Sequence, residues 1–170
     1  MSQENVEVVR RMLQAFADGG LNAMAEFWDP DIDWRAAEGA LDDVGEMHGP
    51  VAVRRYIQDW IDTFDDFSVV AEELRDVGDD RVLAIQRVNG RAKLSGTETD
   101  LRYAVVNTVR DGKVVRGREY LSLDQALEAV GLSSSAVASA SVWSDSLASP
   151  VVEDVGSARH GSRLEEDRDG

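Results

Sequence analysis

The stretch "VVNTVRDGKVVRGREY" constrains the fold more than any other, because Asp111-Gly112 stands between two segments of strand character. An Asp-Gly pair accepts positive φ and suits the two-residue turn whose twist matches antiparallel strands. With these two residues as the loop, Arg110 pairs with Lys113, and an uninterrupted ladder sets Glu119 opposite Ala104 and Gly117 opposite Val106. Glu119 then shares a face with Arg102, Ala104, Val106, Val115, Gly117 and Leu121, while Tyr103, Val105, Asn107, Arg116, Arg118 and Tyr120 take the other. The first face is mostly small and aliphatic, which suits packing on helices, so it is read as the inward one. A bulge would exchange the two faces.

Upstream of the hairpin the pattern is first helical and then extended. Val6, Val9, Met12, Leu13 and Phe16 recur at helical spacing, and Gly19-Gly20 ends that helix. "LNAMAEFW" reads as a second, short helix with Leu21, Met24, Phe27 and Trp28 on one side, stopped by Pro30. "DPDIDWRA" alternates as a half-buried strand, and a loop, "EGALDDVGEMHG", leads to Pro50. Pro50 opens a helix striped by Val53, Ile57, Trp60, Ile61 and Phe64. Beyond Asp66 come "FSVVAEELRDV", "RVLAIQRVNG", "TDLRYAVVNTV" and "VVRGREYLS" as strands, and "LDQALEAVGL" closes with a short helix. The order α-α-β-α-β-β-β-β-α is that of an α+β domain over 1–132. Residues 133–170 are rich in Ser, Ala and acids without a sustained period, and read as a mostly disordered tail.

Charge and residue types narrow the function. A net charge of -15 opposes binding to a phosphate backbone, so no nucleic-acid partner is expected. No run reaches the roughly eighteen apolar residues of a membrane span, and the acidic, amphipathic start is unlike a signal peptide; no membrane partner and a cytoplasmic location follow. Without cysteine, and with only His48 and His160 as histidines, neither a metal site nor another cofactor is expected.

Four features taken in order, the opening helical hairpin, "FWDPDIDW", "HGPVAVRRYIQDW" and "VRDGKVVRGREYLSLDQALEAVGL", resemble the nuclear transport factor 2-like superfamily, and within it the SnoaL-like and ketosteroid isomerase-like domains. The resemblance spans about 1–132. It implies a curved antiparallel sheet wrapped as a cone around the N-terminal helices, a pocket at the open end for a hydrophobic small molecule, and a homodimer. On the face assignment above, that dimer would use the side bearing Tyr103, Val105, Asn107, Arg116, Arg118 and Tyr120.

Candidate site residues are weighed against that frame. Glu119, an inward carboxylate among apolar neighbours, suits proton transfer, because desolvation moves such a group toward the useful range; its alternative is an ion pair with Arg102 or Arg87. Arg87 suits binding of an oxyanion, and His48 proton donation, while each is also compatible with a surface role. Trp28, Trp34, Tyr56 and Trp60 are either aromatic walls for a flat ligand or plain core. Arg102, Val106 and Gly117 complete the proposed ligand contacts, Gly117 marking either cavity space or a bend in the sheet.

The named chemistries of the superfamily differ in what they require. The tyrosine, aspartate base and protonated aspartate of ketosteroid isomerases would fall near Met12, Ala36 and Val105 or Val106, which carry none of those groups. The arginine-bridged aspartates of limonene epoxide hydrolase-like enzymes find no acid between Val82 and Arg91. SnoaL-like polyketide cyclases ask for an apolar pocket and one carboxylate on a late strand, and Glu119 is the comparable residue. The expectation is a cyclase or isomerase that uses a pocket carboxylate; the alternative is a non-catalytic ligand-binding or dimerisation module.

Overall fold

The computed structural model describes residues 2–40 and 43–133. From 134 onward the expected tail lies outside the described residues. Helix α1 (Ser2–Ala25) contains the helical hairpin of the sequence reading as one element broken at Gly20, whose φ of 72° and ψ of -164° are not helical. Strand β1 (Trp28–Arg35) follows, so Trp28 opens a strand and does not close a helix. Its start is set by Val114, whose N–H donates to the Phe27 carbonyl at 2.9 Å. The loop before Pro50 contains a short strand, β2 (Glu46–His48), and helix α2 (Gly49–Thr63) then starts with proline in its first turn.

Four long strands come next: β3 (Phe64–Asp76), β4 (Arg81–Ala92), β5 (Glu98–Arg110) and β6 (Lys113–Tyr120). Helix α3 (Leu123–Ala129) is capped by Ser122, whose hydroxyl accepts from the Gln125 N–H at 3.3 Å. The strands form one curved, unclosed sheet in the order β2-β1-β6-β5-β4-β3. All pairs are antiparallel except β1 with β6, so the sheet is mixed and carries one more strand than the sequence order suggested. The fold is the α+β cone of nuclear transport factor 2-like domains.

The hairpin turn forms as expected, with φ of 50° at Asp111 and 73° at Gly112. Pairing begins as Arg110↔Lys113 and Val109↔Val114, then slips, and Thr108 pairs with Arg116. Val115 is the extra residue of a bulge. Every later pair is displaced by one: Asn107↔Gly117, Val105↔Glu119, Ala104↔Tyr120. Val114 and Gly117, three apart, are consequently both buried.

Both faces of β4 and β5 are covered. Val82, Ala84 and Val105 belong to the inner core with Val9, Met12 and Val53 from the helices. Leu83, Ala104 and Val106 lie under α3, against Ala126, Leu127 and Val130. Each valine, leucine or methionine among them contributes about 1.5–3 kcal/mol by leaving water, and each alanine less. The bulge therefore corrects the face assignment. Tyr103 and Val105 share the inner side with Glu119, Asn107 is fully buried, and Val106 belongs to the α3 side. The dimer surface drawn through Tyr103, Val105 and Asn107 is thus not an outward face.

Candidate active site

The cone encloses a cavity of about 610 Å³ between the inner sheet face and the helices. Helix α1 contributes Met12, Leu13 and Phe16; α2 contributes Tyr56, Ile57 and Trp60, which recur at helical spacing on one side. From the sheet come Trp34, Gln86, Val88, Tyr103, Val105 and Glu119, and Gly39, Ala40 and Val44 form part of the rim. The wall is predominantly hydrocarbon with a few polar groups, as in small-molecule sites generally.

Glu119 is the centre of those polar groups. The Trp34 indole N–H donates to its Oε1 at 2.9 Å, and the Tyr56 hydroxyl donates to its Oε2 at 2.8 Å. Three elements thus converge on one carboxylate: β6 supplies it, while β1 and α2 supply the donors. Such hydrogen bonds hold the carboxylate in one orientation. Nearby, the Tyr103 hydroxyl donates to Gln86 Oε1 at 2.9 Å. Burial, and after it the charge of Glu119, pushes the Tyr103 hydroxyl far above the ordinary tyrosine range, so it stays protonated and remains a donor.

Gly117 is explained by Trp34, its partner across the parallel β1–β6 pair. A Cβ at position 117 would stand 2.2 Å from Trp34 Cε3 and Cζ3. The missing side chain admits the indole, not a ligand. At the rim, Asp43 accepts from the Gly39 N–H at 3.2 Å, the Gly45 N–H at 3.1 Å and Arg35 Nη1 at 2.7 Å. The Gly39 bond first, and the Arg35 guanidinium next, hold the Asp43 carboxyl below the usual carboxylate range.

Of the residues singled out in the sequence, the structure brings Glu119, Trp34, Tyr56 and Trp60 together around the cavity, with Gly117 beneath Trp34. It places the others elsewhere. Arg87 is on the outer side, its guanidinium bonded to Asp100 at 2.6 and 2.7 Å. Arg102, its partner across β4–β5, pairs with Glu72 at 2.6 Å. His48 is exposed at the end of β2, with Nδ1 at 2.6 Å from Asp33 Oδ1. Trp28 is buried in the core, and Val106 lies under α3. Neither Glu119–Arg87 nor Glu119–Arg102 forms, because the two arginines project from the opposite side of the sheet.

Sequence reasoning missed Tyr103 and Gln86. Gln86 had a signal, as the polar residue in the alternation Val82, Ala84, Gln86, Val88. Tyr103 was lost with the bulge.

The SnoaL-like domain family matches residues 9–117, which is most of the cone. The chain belongs to the SnoaL-like domain family. Solved structures agree with this SnoaL-like fold. Bal32a, from a soil-derived mobile gene cassette, is 26% identical and superposes with a TM-score of 0.61, covering 70% of this chain and 89% of its own. TerC, co-crystallised with polyporic acid, is 20% identical with a TM-score of 0.60, over 75% of this chain and 98% of its own. A ketosteroid isomerase-like fold protein from Catenulispora acidiphila, in complex with trimethylamine, is 20% identical with a TM-score of 0.57, over 74% of this chain and 93% of its own. No curated protein sequence matches the chain. Among the described residues of this SnoaL-like domain, no helix is long and apolar enough to cross a membrane.

Proposed function

We propose that this SnoaL-like domain binds an apolar small molecule in its cavity and that Glu119 moves a proton on it as a general base. The observation that carries this reading is a carboxylate set in the wall of a largely hydrocarbon cavity and oriented by Trp34 and Tyr56. A half-buried carboxylate in a largely hydrocarbon wall is suited to take a proton from a carbon beside a carbonyl. The resulting enolate either regains the proton at another carbon, an isomerisation, or attacks a second carbonyl of the same molecule, a ring closure. Few further groups are needed where both reacting centres belong to one bound molecule. Developing negative charge on the substrate oxygen would be met by neutral donors, since no Lys, Arg or His is among the described lining residues; the Tyr103 hydroxyl serves there only by exchanging its bond to Gln86 Oε1 for one to the substrate. TerC with polyporic acid and the Catenulispora acidiphila protein with trimethylamine are examples of small molecules held by this fold.

The test is turnover of enolisable aromatic polyketone substrates by the purified chain, with solvent deuterium incorporation as a second readout. Glu119→Gln is expected to abolish exchange and turnover while retaining the fold and ligand binding. A second reading, binding without turnover, is favoured by the bonds that both carboxylate oxygens already accept from protein donors. Ligand binding by the unmodified chain with no exchange at any substrate carbon would select it.

A further inference from the structure

We infer that the cavity selects apolar amines over isosteric alcohols and rejects carboxylates, with Glu119 as the counter-ion of the ammonium group. This rests on the reading of the cavity as a ligand site, as in binding without turnover, needs no proton transfer at carbon, and goes beyond that reading by specifying the charge of the ligand.

The distribution of charge around the sheet carries the inference. Glu119 and the exposed Asp59 are the charged groups among the described lining residues, and both are acids. The cations of neighbouring strands lie away from the cavity and are already matched: Arg87 with Asp100, Arg102 with Glu72, Arg118 with Glu46. An anionic ligand would lose its hydration beside Glu119 and gain no opposite charge, which is the costly way to bury an ion. An ammonium group would meet a carboxylate fixed in place by Trp34 and Tyr56.

The rest of the wall suits the body of such a molecule. The rings of Trp60 and Phe64 stack with centroids 5.8 Å apart, Phe64 and Phe67 stack at 6.0 Å, and Phe16 meets Phe67 edge-on at 6.3 Å. All four line the cavity. Aromatic surface accepts hydrocarbon and also attracts cations through the negative faces of the rings. A chain this acidic attracts any cation weakly over its surface, so selectivity between molecules of equal shape is the relevant quantity.

The experiment compares 2-naphthylmethylamine, 2-naphthalenemethanol and 2-naphthoate on the full chain by calorimetry, at neutral pH and physiological salt. The amine is expected to bind one-to-one, on the order of tenfold tighter than the alcohol, and the naphthoate on the order of tenfold more weakly than the alcohol. Glu119→Gln, of nearly the same shape, should bring amine and alcohol to equal affinity. Equal affinities for amine and alcohol in the unmodified chain, or naphthoate binding as well as the alcohol, would overturn the inference while leaving the cavity reading intact. Binding of none of the three would overturn both. The comparison on the unmodified chain decides the matter even where Glu119→Gln fails to fold.

Discussion

Trp34 occupies the space that a side chain at Gly117 would fill, and from there its indole N–H reaches Glu119 two residues along the same strand. The glycine, the ring and the carboxylate act as one unit: an empty position on β6 seats a ring from β1, and the ring orients an acid on β6. Gly117→Ala forces the indole to move. We expect a loss of about 1–3 kcal/mol from overpacking, read by urea denaturation, together with a changed tryptophan emission. Unchanged stability and emission would show that the indole does not depend on the glycine.

The two donors to Glu119 are separable. Trp34→Phe keeps an aromatic ring but removes the N–H, and Tyr56→Phe removes only the hydroxyl. Each is expected to weaken the proposed Glu119-dependent activity, and to cost on the order of 1 kcal/mol, because the half-buried carboxylate is left with one donor fewer. Because both act on one carboxylate, the double variant should depart from additivity, and a double-mutant cycle on stability measures that coupling.

Tyr103 provides a pH signature. Its folded-state pKa is raised above the usual 10.0, first by burial and then by the charge of Glu119. Its contribution is therefore fully present below about pH 10 and is lost as pH rises beyond that value, because the unfolded chain releases a proton that the folded chain keeps. We expect stability to fall by about 1.4 kcal/mol per pH unit more steeply than in Tyr103→Phe above that point. Parallel curves for the two proteins in alkaline urea melts would refute the assignment.

At the rim the sign is reversed. The lowered pKa of Asp43 means that its bonds to the Gly39 and Gly45 amides persist above the ordinary value of 3.8 and are lost as pH falls through the folded value. Asp43→Asn should speed hydrogen exchange at both amides at neutral pH. Equal exchange rates in the two proteins would remove Asp43 from the support of the rim.

His48 and Arg87 serve as controls. Both lie outside the cavity, paired with Asp33 and Asp100. His48→Ala and Arg87→Ala are expected to leave ligand affinity and turnover within about twofold of the unmodified chain, since exposed ion pairs contribute little. The hydrogen bond from His48 is the main cause that lowers the Asp33 pKa. A carboxyl NMR titration should accordingly show Asp33 moving upward in His48→Ala.

The helices, the hairpin turn and the α+β order were legible in the sequence, because each depends on local terms: apolar spacing, Pro50 at a helix start, Asp111-Gly112 at a turn. Glu119 was legible too, as an acid beside a glycine in an apolar strand. Its surroundings were not. The choice of inner face on β5 turns on the bulged Val115, and periodicity could not reveal it because β5 is apolar on both sides, one covering the inner core and the other lying under α3. Trp34 and Tyr56 were found as aromatics but not as donors, since the bonds they make to Glu119 span 85 and 63 residues of chain. Local chemistry determined which elements form and marked Glu119 as an acid on the inner side of β6. The position of each group around Glu119 was decided by long-range packing, in which one extra residue in a strand sends Tyr103 to the cavity and Val106 away from it.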